Sequence, residues 1–304
     1  MAKKNSLFAE PHFQNDEAAR AMLESILWPD GPVCPHCGVV NHSYATKRHG
    51  VYRCAEKVCR KDFSVTMKTV MERSHIALHK WLQAFHLMAS SKKGVSAHQL
   101  HRTLQIGYEA AWFMAHRIRE SMRAGGLSPL GTGGKVVEAD ETYIGRLEGQ
   151  KKGKAGFAHK NTVFTLVERG GSARSFHVEG SRVRDLQVVM EQHLSPETNL
   201  RTDELAAYKY LGKEYASHES VKHSKEEYVR GDVHTNTVEG FYSIFKRGMK
   251  GIYQHCAEKH LHRYLSEFDF RYSNRIALGI DDGERRTLAI KGAAGKRLTY
   301  RGRH

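Results

Sequence analysis

Nothing in the sequence approaches the ~18 to 20 consecutive apolar residues of a membrane span. The opening MAKKNSLFAE has no apolar signal core, so a soluble protein kept inside the cell is expected. Proline is scarce, at 6 in 304 residues, and neither an internal repeat nor a long polar tract is present. A fibrous or low-complexity chain is thereby excluded. Cysteine is scarce too, at 5, and without a secretory signal a disulfide framework is not expected. Acidic side chains fall short of basic ones, 33 against 48, leaving a formal net charge of +15. What remains suits a folded protein: 40% hydrophobic residues supply a real core, and the length suggests about two domains.

A basic surplus is the electrostatic footprint of a polyanion partner, and its distribution is uneven. Residues 1–125 carry 18 basic and 10 acidic side chains, residues 126–275 carry 23 and 20, and residues 276–304 carry 7 and 3. The pattern suggests an N-terminal module that grips phosphate and a central domain that keeps its carboxylates for another purpose. Five segments and one linker are expected. Residues 1–30 hold an N-terminal helix, with Ala18, Met22 and Ile26 as its stripe over 12–27. Residues 31–70 hold the cysteine cluster among short strands, and 74–124 are helical. Gly-rich residues 125–134 form a linker. Residues 132–275 read as three strands, two of them a hairpin around Gly170-Gly171, then alternating helices and a further strand, a mixed α/β layer. Residues 276–304 read as a loosely ordered basic tail.

Cys34-Pro-His-Cys37 is followed after sixteen residues by Cys54-Ala-Glu-Lys-Val-Cys59. Two close pairs can place four thiolates on one tetrahedral ion, with Gly38 turning the chain behind the second ligand. Strand-like sequence between the pairs fits a zinc ribbon holding structural Zn²⁺, and the alternatives are two disulfides or four buried thiols. Cys256, with His260 four residues on, is a packing residue or a weaker metal pair.

Residues 96–122 contain a helix, a break at Ile106-Gly107 and a second helix, so that Leu100 and Leu104 can meet Ala111, Trp112 and Ala115. Arg117, Arg119 and Arg123 lie toward its end. This is the shape of a helix-turn-helix whose second helix enters a DNA major groove, with Arg117 and Arg119 as candidate DNA contacts. An ordinary helical hairpin is the alternative.

Three carboxylates stand at element ends. Asp140 follows the apolar run Val136–Ala139, Asp203 follows Asn-Leu-Arg-Thr, and Glu239 opens a helix whose apolar stripe is Val238, Phe241, Tyr242, Phe245 and Met249. Helical spacing puts Glu239, Ser243, Lys246 and Lys250 on a neighbouring face. Acids on three elements can converge on two Mg²⁺ or Mn²⁺ ions that serve phosphodiester chemistry, while Lys246, Arg247 and Lys250 hold a nucleic-acid backbone.

The block Asp140-Glu141-Thr142-Tyr143-Ile144-Gly145, then Thr202-Asp203-Glu204 with Ala207-Tyr208, then His234 to Ser243 with Lys246-Arg247-Gly248, resembles the ISXO-type DDE insertion-sequence transposases. So do Lys259 to Tyr264 and Phe270-Arg271-Tyr272. The likeness runs from about residue 30 to about 275. It implies a multidomain α+β protein: an N-terminal zinc ribbon and helix-turn-helix, then a ribonuclease-H-like α/β catalytic domain. It implies Asp140 and Asp203 as the first two metal ligands and Glu239 as the third, with Asn236 as the alternative because related groups use Asn or His there. Many relatives read Gly-Gly-Lys where this chain has Gly145-Arg146-Leu147, a departure that bears on a DNA contact and leaves the acids intact.

The activity so implied is binding of terminal inverted repeats, metal-dependent 3′-end cleavage and strand transfer into target DNA. The partners are double-stranded DNA and further copies of the chain, as a homodimer or larger oligomer, in a cytoplasmic, nucleoid-associated setting and with no membrane. The alternatives are a decayed or domesticated DNA-binding regulator and a zinc-ribbon nuclease that cuts without joining.

Overall fold

The computed structural model describes residues 7–151 and 156–299; the outermost parts of the expected N-terminal segment and basic tail lie outside them. The described chain divides into two units, residues 7–91, 95–123 and 281–299 in one and residues 92–94 and 124–280 in the other.

In the first unit, α1 (Asp16–Leu27) starts where the Asn15 side chain accepts the Ala18 N–H at 2.8 Å, with Asp16 and Glu17 in its first turn. Its buried residues are Ala19 and Leu23, one position on from the expected Ala18–Met22–Ile26 stripe. Three short antiparallel strands follow, β1 (Ser43–Ala45), β2 (Tyr52–Cys54) and β3 (Asp62–Phe63), in that spatial order. Their small core is Cys34, Cys54 and Phe63, with Trp28 meeting Tyr52 and Phe63 edge-on at 5.6 and 5.7 Å. So little apolar area does not hold a sheet by itself, and four free thiols gather beside it. Next come α2 (Leu78–Ser90), α3 (Ala97–Leu104) and α4 (Tyr108–Met122). Ser96 caps α3 by accepting from Gln99 N–H at 3.1 Å, Gln105 ends it in the left-handed conformation (φ 50°), and Gly107 precedes α4. α3 and α4 thus pack as two helices joined by a three-residue turn.

The second unit is built on a five-stranded mixed sheet. β4 (Val136–Ile144), β5 (Asn161–Glu168) and β6 (Ala173–Val178) form an antiparallel meander, the last two joined by a tight turn at Gly170 (φ +67°). α5 (Val183–His193) leads to β7 (Asn199–Thr202), parallel to β4, and α6 (Ala206–Leu211) leads to β8 (Ser217–Ser220), parallel to β7. The order is β6-β5-β4-β7-β8, with β4 at the centre. A small hairpin, β9 (Val229–Arg230) and β10 (Val233–His234), precedes α7 (Asn236–Gly248) and α8 (Leu261–Ser273). Two cores flank the sheet. Ile144, Val163 and Val167 face Val238, Phe241, Phe245, Leu265 and Phe268 of α7 and α8. Val137, Ala139, Phe164, Leu166 and Leu200 face Leu186 and Met190 of α5 and Tyr208 of α6. The result is helices on both sides of a sheet, with β5 buried along its whole length.

The chain then returns to the first unit. α9 (Asp282–Lys291) is capped by an Asp281–Glu284 capping box and packs on α1, α2 and α4, burying Ala289, Ile290 and Ala293. The expectation of a loosely ordered tail is therefore corrected. Gly and Arg are frequent in the segment, but Ala289, Ile290 and Ala293 are fully covered, and the fit is tight: a Cβ on Gly292 would stand 2.2 Å from the Ser121 carbonyl oxygen. Cys256 precedes a 3-10 turn (Glu258–His260) and packs against the α7–α8 core, as a packing residue, and the alternative helical Cys256–His260 pair does not form.

Candidate active site and metal centres

The register of the central strands assembles the acids. The parallel β4–β7 ladder pairs Ala139 with Thr202, so Asp140 and Asp203, the next residue on each chain, emerge where the two backbones separate. Adjacent strands lie roughly 4.8 Å apart, and in open α/β sheets such divergence points are where ligands bind. Asp140 accepts the Glu141 N–H at 2.8 Å and Asp203 accepts the Leu205 N–H at 3.0 Å. Strand alternation separates the neighbouring acids. Glu138 and Asp140 belong to the α7 side, while Glu141 accepts a 2.8 Å hydrogen bond from Tyr208 of α6.

The third acid comes from α7, and the sheet sets the position of this helix. Glu138, with no exposed surface, accepts from Thr237 N–H at 2.7 Å, Thr237 hydroxyl at 2.8 Å and Val238 N–H at 2.9 Å. A strand carboxylate thus satisfies the N–H groups that a helix start leaves open, at the positive end of its dipole. Thr235, the residue before the helix, is occupied otherwise: its hydroxyl donates to Glu239 at 2.7 Å. Arg169 balances Glu138 through Nε at 2.6 Å, while its Nη1 and Nη2 donate to the Asp232 and His234 carbonyls. Further along α7, the Tyr242 hydroxyl donates to the Asp140 carbonyl at 2.7 Å. Strand and helix are tied together on both sides of the acids.

The acids act on one another's charge. Burial, then the charges of Glu141, Asp203 and Glu239, push the Asp140 carboxyl up to about 8. Burial raises Asp203 as well, with Glu204 and Glu239 adding to it, while the Leu205 N–H and His223 act the other way. Glu141 is pushed up to about 7 by burial and by Asp203, against the Tyr208 hydrogen bond. His223 Nε2 stands 3.8 Å from Glu239. Burial lowers the Lys246 ammonium, the Asp140 charge opposes this, and Lys250 and Lys160 lower it further. Lys246 lies over the Tyr242 ring at 5.8 Å, and Lys160 over Phe157 at 4.9 Å. Arg247 folds back on Ser243, Lys250 is exposed, and Asn236 is exposed one turn before Glu239. Nothing in the sequence singles out Glu138, Glu141, His223 or Lys160. An acid inside a strand or a lysine in a loop looks like any solvated charge until the sheet register is known.

Asp140, Asp203 and Glu239 are hard oxygen donors that feel one another's charge, the donor type that suits Mg²⁺ or Mn²⁺. The ribbon thiols suit zinc. The four sulfurs all lie within 4.8 Å of one another, with Cys34–Cys59 at 3.8 Å and Cys37–Cys54 at 3.6 Å. A tetrahedral Zn–S₄ site has sulfurs about 3.8 Å apart, whereas a disulfide needs about 2.05 Å. Burial opposes ionisation of Cys34, yet the N–H groups of Cys37 and His36 bring its thiol down to about 7.

Arg117 and Arg119 require a correction. Both are buried, at 9% and 2% exposure. Arg117 lies over Phe113 at 4.7 Å and donates to the Leu298 carbonyl, so these arginines belong to the interior of the helical unit and do not present an outward phosphate-binding face. The outer end of α4 carries Tyr108 and Glu109 instead.

A family model described as the ISXO2-like transposase domain matches residues 132–273, and one described as a transposase zinc-ribbon domain matches residues 14–62. The latter takes in α1 as well as the strands. The chain is also similar to a protein of Halobacterium salinarum described as an uncharacterized protein in transposable element ISH50. The two are 27% identical over 279 residues, covering 85% of this chain and 91% of that protein. Among the described residues no helix is long and apolar enough to cross a membrane.

Proposed function

We propose, from the matches to the ISXO2-like transposase and transposase zinc-ribbon models and the likeness to the ISH50 protein, that the chain is a zinc-ribbon DDE transposase of the ISXO type, which binds the terminal inverted repeats of an insertion sequence, cleaves their 3′ ends and joins them to target DNA. The observation that supports this reading is the parallel β4–β7 register, which sets Asp140 next to Asp203, with the Glu239 charge of α7 acting on both carboxyls. In this reading the second unit is ribonuclease-H-like, which its central β4 with an antiparallel neighbour on one side and a parallel one on the other supports. Asp140, Asp203 and Glu239 hold divalent ions, which when bound supply activation of the attacking oxygen and charge stabilisation of the leaving oxygen. Lys246, with Lys250 and Arg247 beside it, holds a backbone phosphate, and Glu138 keeps Glu239 aligned with Asp140. The ribbon thiolates hold one structural Zn²⁺. α3 and α4 act as a helix-turn-helix on double-stranded DNA, and further copies of the chain assemble on the two ends.

The test is Mg²⁺-dependent nicking and strand transfer by purified variants on identical end-bearing DNA. Asp140→Ala and Asp203→Ala should lose both steps by at least about a hundredfold while DNA binding persists. Glu239→Ala should do the same and Asn236→Ala should be milder. An active Glu239→Ala with a dead Asn236→Ala transfers the third position to Asn236. Full activity of Asp140→Ala or Asp203→Ala refutes the reading. Cutting without joining by the unaltered protein identifies a nuclease, and neither step identifies a regulator.

A further inference from the structure

With Arg117 and Arg119 buried, the basic surplus of the first unit needs another outlet. Residues 31–70 carry seven basic and two acidic side chains, the densest surplus in this unit. The strand register concentrates part of it. Tyr44 on β1 pairs with Arg53 on β2, and Arg53 pairs with Asp62 on β3, so the three form one cross-strand row on the outer face of the ribbon. The intervening residues Cys54 and Phe63 turn inward to the core. Arg48, from the β1–β2 turn, reaches the same place. Asp62 accepts from Arg53 Nε at 2.6 Å through one oxygen and from Arg48 through the other. Two guanidinium groups are held side by side by a single carboxylate while remaining 69% and 47% exposed. Together with Lys47 and Tyr44 they line a concavity of about 400 Å³. Three cations against one anion leave this hollow positive, and each guanidinium keeps N–H donors beyond the one that Asp62 engages.

We propose that this hollow is a phosphate-binding cradle that seats the DNA backbone against the ribbon, with Arg48, Arg53 and Lys47 as its donors and Asp62 as the positioning residue that fixes the two arginines. Guanidinium pairs match phosphate oxygens in geometry as well as charge. Bonds to phosphate set position and carry no base information. The proposal rests on the DNA-binding reading above.

The experiment uses the full-length, zinc-loaded protein and two duplexes of equal length, one carrying the element's own end and one scrambled. Affinity is measured across a salt series for the unaltered protein, Lys47→Ala, Arg48→Ala, their double variant and Lys57→Ala. Lys57 is exposed on the ribbon outside the hollow and is the charge control. The double variant should bind both duplexes at least about tenfold more weakly, with the salt slope reduced by about 0.9 for each phosphate no longer neutralised. Its preference for the end over the scrambled duplex should be unchanged, as should its zinc content and melting temperature. An unchanged slope, or an equal weakening in Lys57→Ala, overturns the cradle while leaving DNA binding intact. A selective weakening on the end duplex shows base reading and overturns the phosphate assignment. Failure of the unaltered protein to bind either duplex removes the DNA reading and the cradle together.

Discussion

Burying Asp140 beside Glu141, Asp203 and Glu239 works against the folded state, because a desolvated carboxylate among like charges is disfavoured. Such sites trade stability for function. Asp140→Asn, with zinc retained and no Mg²⁺ added, should therefore melt at the same temperature as the unaltered protein or a few degrees higher. Adding Mg²⁺ should stabilise the unaltered protein through binding to its folded state and do so far less for the variant. Paired thermal scans with and without Mg²⁺ check this, and a variant that melts lower without Mg²⁺ contradicts it. Asp269 of α8 offers a separate residue-scale test. It is buried and accepts from Ser175 N–H at 2.8 Å and Ser175 hydroxyl at 2.6 Å. Burial pushes its carboxyl up to about 7, against those hydrogen bonds and Arg174. An unfolded Asp titrates near ~3.9. Between these values the folded chain holds a proton that the unfolded chain has released, so stability falls as pH rises from about 4 to 7. The urea midpoint of Asp269→Asn should vary less over that interval than that of the unaltered protein. At this scale the sequence is informative where spacing or context is distinctive, as for the paired cysteines and the long block around Glu239. It misleads at Arg117 and Arg119, because a count of charges does not register which side of a helix is covered.

Among elements, α7 depends most on a group outside itself. Thr235 does not cap it by side chain, and Glu138 takes its place. Removing one partner from a buried ion pair costs about 3 to 5 kcal/mol, and here the helix start loses its acceptors as well. Glu138→Ala should lose stability on that order in urea unfolding, and Glu138→Gln, which keeps an acceptor oxygen, should lose less than half as much. Equal losses would show that charge alone matters there. The ribbon depends on an outside group too. Chelating zinc should remove its structure and leave the unfolding transition of the α/β unit in place, read by circular dichroism against metal content. Helices and the β5–β6 hairpin are legible because apolar periodicity and Gly170-Gly171 mark them. β8 is not: Ser-His-Glu-Ser is a short edge strand, partly exposed and without apolar alternation, placed by pairing with β7 and by Arg230, which donates to the Ser220 carbonyl.

At the scale of the whole molecule, the end of the chain completes the unit that the beginning starts. Arg286 lies over the Phe13 ring at 5.2 Å, Arg285 donates to the Ala89 carbonyl at 3.2 Å, Ala294 bridges to Thr69, and Gly295 N–H reaches the Lys68 carbonyl at 2.8 Å. Little in the sequence marks this, since α9 contributes only a few apolar side chains and closes the unit largely through small residues and backbone packing. Truncation after Ile280 would uncover the faces of α1, α2 and α4 that Ala289, Ile290 and Ala293 cover, and would take the Arg285 donor away from the Ala89 carbonyl. Gly292→Ala is the gentler probe, because its Cβ would meet a backbone carbonyl that has no rotamer to yield. Both changes should destabilise the first unit, the truncation by several kcal/mol and Gly292→Ala by about 1 to 3 kcal/mol as an overpacking. Divalent-ion binding measured calorimetrically should survive in both, since Asp140, Asp203 and Glu239 all belong to the other unit. Limited proteolysis should cut the truncated protein first within residues 7–123 and spare residues 135–275. A truncation that leaves those N-terminal residues as resistant as before would show that α9 only rests on a unit already complete without it.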